Sequence, residues 1–448
     1  MQPNQNISPQ EEPQESFWKR NAPMLKAALI FVLVLLLLIP KTMIEDLIQE
    51  RKFRQSEVLQ EIAQSWGTSQ EVSGPVLVLP YRTYYKNSEG QTVQTTKQAY
   101  FLPENLTVEG ELHPEKLHRS IYDVVVYNSD LSLKGNFVFP NLDELNLKPD
   151  AIYWEDARII LGLSDLRGID NDLAIDVNGK SLVFNSGTGD GNLLQRGVQA
   201  AMPMVYDSLQ NQSFQFNLKL KLKGTENIAF QPVGKTTDVS LHSKWKDPSF
   251  MGSFSPDYRE VNENGFEVNW NIIHLNRNFP QSWKGNAYNL NQSSFGVNLI
   301  LPVDHYQKST RSVKYAILFI ALTFLIFFFI ELINKSKVHP IQYILIGLAL
   351  IIFYILLVSI SEQWTFNGAY LVSAGATIAL ISLYAKSIFK QLSYTIITGG
   401  SLVILYGFIF TIIQLQDFAL LIGSVGLFLI IAALMYFSRK IDWYNGLK

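Results

Sequence analysis

The chain has 448 residues, 48% of them hydrophobic and 17% charged, with a formal net charge of −2 and no cysteine. A near-neutral balance supplies no polyanion-binding surface and points away from nucleic acid as a partner. The lack of cysteine excludes thiol catalysis, iron–sulfur clusters and thiolate zinc sites, and any exported part must be held by its apolar core alone.

Residues 1–16 are polar, Pro-broken and without periodicity, which reads as a disordered cytoplasmic tail. Phe17 and Trp18 beside Lys19 and Arg20 form an interfacial anchor. The first apolar span runs from Met24 to Ile44, close to the ~20 residues a helix needs to cross a bilayer core. Its basic flank and its core, Ala27 to Ile39, have signal-peptide dimensions. The Pro40-Lys41-Thr42-Met43 that follows offers no small-x-small cleavage site, so an uncleaved anchor is expected. From Glu45 to Trp66, Val58, Leu59, Ile62, Ala63 and Trp66 recur at the spacing of one apolar helical stripe, and Gly67 supplies a stop. This segment reads as a helical stalk packed on the base of the domain after it.

From Ser73 the pattern changes to strands. Pro75-Val76-Leu77-Val78-Leu79-Pro80 is a short apolar run, Tyr122 to Tyr127 is β-branched and aromatic, and Arg158 to Leu161 continues the series. Ser213 to Leu222 alternates polar and apolar residues over ten positions, the mark of a half-buried strand. Asn178-Gly179 between two short apolar runs predicts a hairpin turn. Gly265–Trp270 and Phe295–Leu301 close a mainly antiparallel β domain, and the span-free stretch of about 270 residues is long enough for a core of its own.

Five more spans crowd the last third: Lys314–Ile333, Ile341–Ile360, Phe366–Ala385, Leu392–Ile413 and Phe418–Phe437. Lys335 and Lys337, Lys386 and Lys390, and Arg439, Lys440 and Lys448 fall in alternate connections. The connections 361–365 and 414–417 carry no Lys or Arg. Positive charge in short loops stays cytoplasmic, so both termini are expected inside and the β domain outside. The predicted architecture is six transmembrane α-helices plus a large, mainly antiparallel β extracytoplasmic domain inserted after the first helix. The boundaries are tail and anchor 1–23, first span 24–44, amphipathic stalk 45–72, periplasmic β-rich domain 73–312, five-helix membrane domain 314–437 and cytoplasmic tail 438–448.

Several ordered strings carry a resemblance. Ser73-Gly74-Pro75 leads to Phe101-Leu102-Pro103-Glu104-Asn105-Leu106, Gly162-Leu163-Ser164-Asp165-Leu166-Arg167-Gly168 and Lys244-Trp245-Lys246-Asp247-Pro248. His274-Leu275-Asn276-Arg277, Pro302-Val303-Asp304-His305-Tyr306, Phe327 to Glu331 and His339-Pro340-Ile341-Gln342-Tyr343 follow. In these the chain resembles the CreD family of bacterial inner-membrane proteins, from the first span to the C-terminus. The resemblance implies an inner-membrane protein linked to envelope stress and integrity, with no established reaction or ligand. The polar tail before the first span departs from the family pattern.

Chemistry is sparse. Gly234-Lys235-Thr236 and Gly179-Lys180-Ser181 end like phosphate loops, but Ala229 and Ala174 stand where the leading glycine belongs, so both read as turns. The six histidines form no metal-ligand pair, and no Gly-x-Ser-x-Gly elbow appears in the β domain. Asp165 and Arg167, and His274 and Arg277, are the candidate ligand or partner contacts; turn capping is the plainer reading of each pair. Glu331, Gln342 and Glu362, with Asp417, sit within about a turn of a membrane interface, where snorkelling or loop solvation explains them. No cofactor is expected. The function read here is non-catalytic support of envelope integrity, with the β domain binding an envelope component or partner and the bilayer holding the helices. A transporter and a membrane-bound hydrolase are the alternatives.

Overall fold

The computed structural model describes residues 22–138, 141–189, 193–206, 213–301, 305–334, 336–415 and 418–439. The N-terminal tail and its Phe17-Trp18 anchor, Lys335, Asp417, Lys440 and Lys448 lie outside the described residues. The chain divides into two compact units, Gln55–Pro302 and the combination of Met1–Arg54 with Val303–Lys448.

The helical unit holds α1 (Ala22–Leu36), the first part of α2 (Leu38–Trp66), α3 (His305–Lys314), α4 (Ala316–Asn334), α5 (Pro340–Ser361), α6 (Phe366–Phe389), α7 (Leu392–Gln414) and α8 (Ala419–Ser438). Among the described residues, five helices are long and apolar enough to cross a membrane: Met24–Trp66, α4, α5, α6 and α7. The described apolar stretch of α8, Leu420–Tyr436, is shorter. Outward-facing Phe31, Leu371, Leu383 and Phe428 are exposed, as lipid-facing side chains are in a bundle. α3 was not anticipated, because its 305–314 segment was read as the end of the β domain. Tyr306, Ser309, Ser312 and Val313 are buried on one face of it, with the basic Lys308, Arg311 and Lys314 on the other, so the segment is amphipathic although its buried face is largely polar.

The second unit is a β domain of two sheets. One has nine strands, in the order Pro248–Gly252, Phe295–Leu299, Asn227–Phe230, Gln70–Lys86, Arg158–Leu163, Gly197–Ala201 and Asn185–Ser186, with Thr92–Phe101 and Ser282–Lys284 continuing from the far half of Gln70–Lys86. The other has eight, built around Asn105–Arg119, Tyr122–Val138 and Ser213–Thr225. One apolar core draws from both, with Val76 and Ile160 from the first sheet and Leu133, Leu218, Val239 and Trp270 from the second. Phe214, Phe216, Leu218, Leu220 and Leu222 all point inward, as their alternation requires. Asn178 and Gly179, with φ of 51° and 83°, form the expected tight turn. Pairing is mainly antiparallel; two pairs, Gln70–Val72 with Ile228–Phe230 and Asn105–Leu112 with Thr236–Ser243, run parallel.

The end of α2 meets this domain as its stripe implies. Ile62 packs with Val124 and Val126, joined by Val58, Leu59, Trp66 and Leu117. The helix stops at Gly67, whose φ of 134° suits glycine and where a Cβ would lie 2.8 Å from the Lys223 carbonyl oxygen. Strand structure then begins at Gln70, three residues before the sequence boundary.

Candidate functional site

A groove of the β domain lies where the Gln70–Lys86 strand breaks register. It pairs with Arg158–Leu163 at Ser73↔Gly162 and resumes at Val76↔Ile160, with Gly74-Pro75 between. Gly74 has a φ of 118°, and a Cβ there would stand 3.0 Å from the Ile160 carbonyl oxygen, so glycine is required. On the other flank the strand runs parallel to Asn227–Phe230, which delivers Gln231 beside Glu71 and Ser73.

These three side chains form the polar floor of a groove of about 500 Å³. Gln231 Nε2 donates to Glu71 Oε1 at 2.7 Å, and Ser73 Oγ donates to Gln231 Oε1. Ser73 and Gln231 are each 3% exposed. Buried amides and hydroxyls persist only where each is bonded, and this set satisfies itself while facing the groove. Ser164 fixes one wall: its hydroxyl donates to the Ser69 carbonyl at 2.8 Å and accepts from the Glu71 backbone at 2.9 Å. Arg196 closes that side, with its guanidinium 3.4 Å from the Ser164 carbonyl. Asn286, Tyr288 and Asn289 also line the groove, and the exposed Tyr288 ring meets buried Trp283 edge-on at 5.7 Å.

None of the four β-domain residues singled out from sequence lines this groove. Asp165 and Arg167 instead lock the end of α2 to the domain. The Asp165 carboxylate caps the 3-10 turn Leu166–Gly168, accepting from the Arg167 backbone at 3.1 Å and from the Thr68 backbone at 3.0 Å. The Arg167 guanidinium holds it from two sides, at 2.9 and 2.8 Å, and also donates to the Gln64 carbonyl at 2.6 Å. The Arg167 hydrogen bond, ahead of those from the Thr68 and Arg167 backbones, keeps the buried Asp165 carboxyl well below the usual carboxylate range.

Arg277 is 7% exposed and ringed by acceptors. It donates to the carbonyls of Phe279 and Pro280, to those of Val233 and Gly234, and to Gln281 Oε1. Burial lowers its pKa to about 10. The Val233 and Gly234 carbonyls lie two and three residues after Gln231, so Arg277 holds the chain that leads from the groove floor. His274 opens a 3-10 turn, its backbone donating to the Lys235 carbonyl at 2.7 Å. Gly234-Lys235-Thr236 is thus a clamped connection, with Lys235 bonded to Glu104 at 2.6 Å.

Sequence reasoning missed Glu71, Gln231 and Tyr288. Ser73-Gly74-Pro75 ahead of an apolar strand was the available signal, since Gly-Pro inside a strand pattern marks a bulge.

In the helical unit Glu331 needs correction. Its position near a helix end suggested solvation, but it is 1% exposed. Its carboxylate accepts from Lys26 Nζ, from the Val338 backbone at 3.0 Å and from the Tyr343 hydroxyl at 3.1 Å. Packing of α1 and α5 against α4 encloses it, which no local pattern reveals. Gln342 completes a capping box at the start of α5, accepting from the His339 backbone at 2.8 Å. Glu362 accepts from the Tyr306 hydroxyl at 3.1 Å and lies 3.5 Å from Arg51 Nε.

Among the described residues, no group of three or more His, Asp or Glu side chains is arranged to hold a metal ion. His113 and His118 lie on the strand Asn105–Arg119; His113 stands 3.3 Å from Asp130, and His118 2.8 Å from Asp123.

Comparison with known proteins gives consistent findings. The family described as "Inner membrane protein CreD" matches residues 22–444. A relative from Escherichia coli strain K12, also described as inner membrane protein CreD, is 34% identical over 433 residues, 96% of this chain and 94% of that protein. Among solved structures, an M1 zinc metallopeptidase from Deinococcus radiodurans overlaps 38% of this chain and 39% of its own, at 7% identity and a TM-score of 0.18. That likeness is too low to carry any argument.

Proposed function

The chain belongs to the CreD family of inner membrane proteins, and from that premise we propose that it supports cell-envelope integrity and stress response without catalysis, its β domain binding an envelope component or partner. The observation that carries this reading is the groove floored by Glu71, Ser73 and Gln231. It has the volume of a small-ligand site, and its lining is mainly polar, which suits a hydrogen-bonding ligand in an open groove.

The accompanying topology has six spans, with α8 as the sixth, both termini cytoplasmic and the β domain periplasmic. The alternation of basic and Lys/Arg-free connections supports it. A transporter is the second reading, and the buried Glu331 carboxylate paired with part-buried Lys26 is the observation in its favour. That pair sits near the C-terminal end of α4 and bonds the chain entering α5, an arrangement suited to holding helices together.

The test is complementation of an envelope-stress defect in a strain lacking the protein. Tyr288→Ala and Asn286→Ala variants at normal membrane abundance are expected to lose function. Full complementation by both would overturn the groove as the working site.

A further inference from the structure

We propose that the groove takes a neutral glycan bearing hydroxyl and acetamido groups, an inference that rests on the binding reading above and names its ligand class. The lining sets the chemistry. Asn286 and Asn289 in the lining are side-chain amides, each carrying both a donor and an acceptor, while the Gln231 amide is committed to Glu71 and Ser73. Sugar hydroxyls and acetamides need that mixture at short intervals, whereas an anion wants donors alone. The ionisable lining groups are Glu71 and Arg196, apart from the Tyr288 phenol, so the groove's charge cancels and neither a polyanion nor a polycation is favoured.

Two further features narrow the class. Tyr288 is 40% exposed, with its ring edge-on to Trp283, and so offers aromatic surface to the C–H face of a pyranose. Leu193 and Leu194 form the apolar part of the wall, and Leu194 packs so tightly on Gly162 that a Cβ there would lie 3.0 Å from it. That patch suits an acetamido methyl. A peptide bound by strand addition is disfavoured, because Arg158–Leu163 is already paired on both sides, with Gln70–Lys86 and Gly197–Ala201, and offers no free edge.

The experiment uses the full chain in nanodiscs, avoiding sugar-headed detergents. Tri-N-acetylchitotriose, cellotriose and trialanine are titrated, with tryptophan fluorescence and calorimetry as readouts. Tri-N-acetylchitotriose is expected to bind, cellotriose at least about tenfold more weakly, and Tyr288→Ala to weaken the former about tenfold while the protein remains folded. Asn286→Ala, at a second exposed position, is expected to act in the same direction. Equal binding of the two sugars, or sugar binding untouched by both variants, overturns the glycan proposal. Trialanine binding that Tyr288→Ala abolishes also overturns it, yet leaves the groove as a binding site. Absence of any variant-sensitive binding, together with full complementation by both variants, brings down the binding reading as well.

Discussion

The Lys26 ammonium in α1 donates to the Glu331 carboxylate in α4, and Glu331 is 1% exposed. Lys26 also donates to the Val338 carbonyl at 2.7 Å, and the Tyr343 hydroxyl completes the set at 3.1 Å. This pair, with Glu331 buried and Lys26 part-buried, therefore gathers the first helix and the α4–α5 connection. Removing Lys26 leaves the Glu331 carboxylate buried without its charge partner, which costs about 3–5 kcal/mol; removing Glu331 leaves a part-exposed ammonium and costs less. Glu331→Ala is expected to lower the unfolding temperature and membrane abundance. The Lys26→Met/Glu331→Leu double variant should recover much of the loss, because a buried pair can be replaced by apolar groups of similar volume. A double variant no more stable than Glu331→Ala would contradict this.

Asp165 makes the β domain sensitive to acid. Its folded-state pKa is depressed, chiefly by Arg167. The stabilisation is therefore fully present above the unfolded value of about 3.9 and is lost as pH falls through the lower folded value. Asp165→Ala should cost about 2 kcal/mol at neutral pH, through the lost cap and the lost Thr68 bond. Asp165→Asn should flatten the acid limb of the stability profile. Unfolding midpoints between neutral pH and strong acid read both effects, and an Asn variant with the parent's acid limb would refute the assignment.

Arg277 holds backbone carbonyls of two segments. Arg277→Met keeps the apolar stem but strips donors from the carbonyls of Val233, Gly234 and Phe279. A loss of about 3 kcal/mol is expected, with faster amide exchange around Gln231 to Thr236. Arg277→Lys should restore only part, because a single ammonium cannot reproduce the planar fork. Unchanged exchange in that segment would show that Arg277 does not hold the chain leading from the groove floor.

Orientation is accessible because the chain has no cysteine. Ser88→Cys, in an exposed turn of the β domain, should react with an impermeant maleimide in spheroplasts, whereas Ser387→Cys, exposed beside Lys386, should react only after lysis. Ser164 is a poorer probe, since its hydroxyl is bonded to Ser69 and Glu71. The reverse labelling pattern would invert the topology.

The sequence by itself determined the features that repeat. The apolar runs from Ala316 to Gln414 are long enough to form membrane-crossing helices whatever packs beside them, because the backbone must satisfy itself in lipid. The Ser213–Leu222 alternation sets which side chains face the core, and Asn178-Gly179 can adopt the positive φ values of a tight hairpin turn. Asp165 and Arg167 were legible as turn formers, since their bonds to each other span two residues. What only the tertiary structure decided lies far apart in the chain. Glu71 meets Gln231 across 160 positions and Lys26 meets Glu331 across 305. Neither pairing follows from local propensity or periodicity. Each exists because the arrangement of strands or helices brings two polar groups into one enclosed place, where each leaves water only by bonding the other.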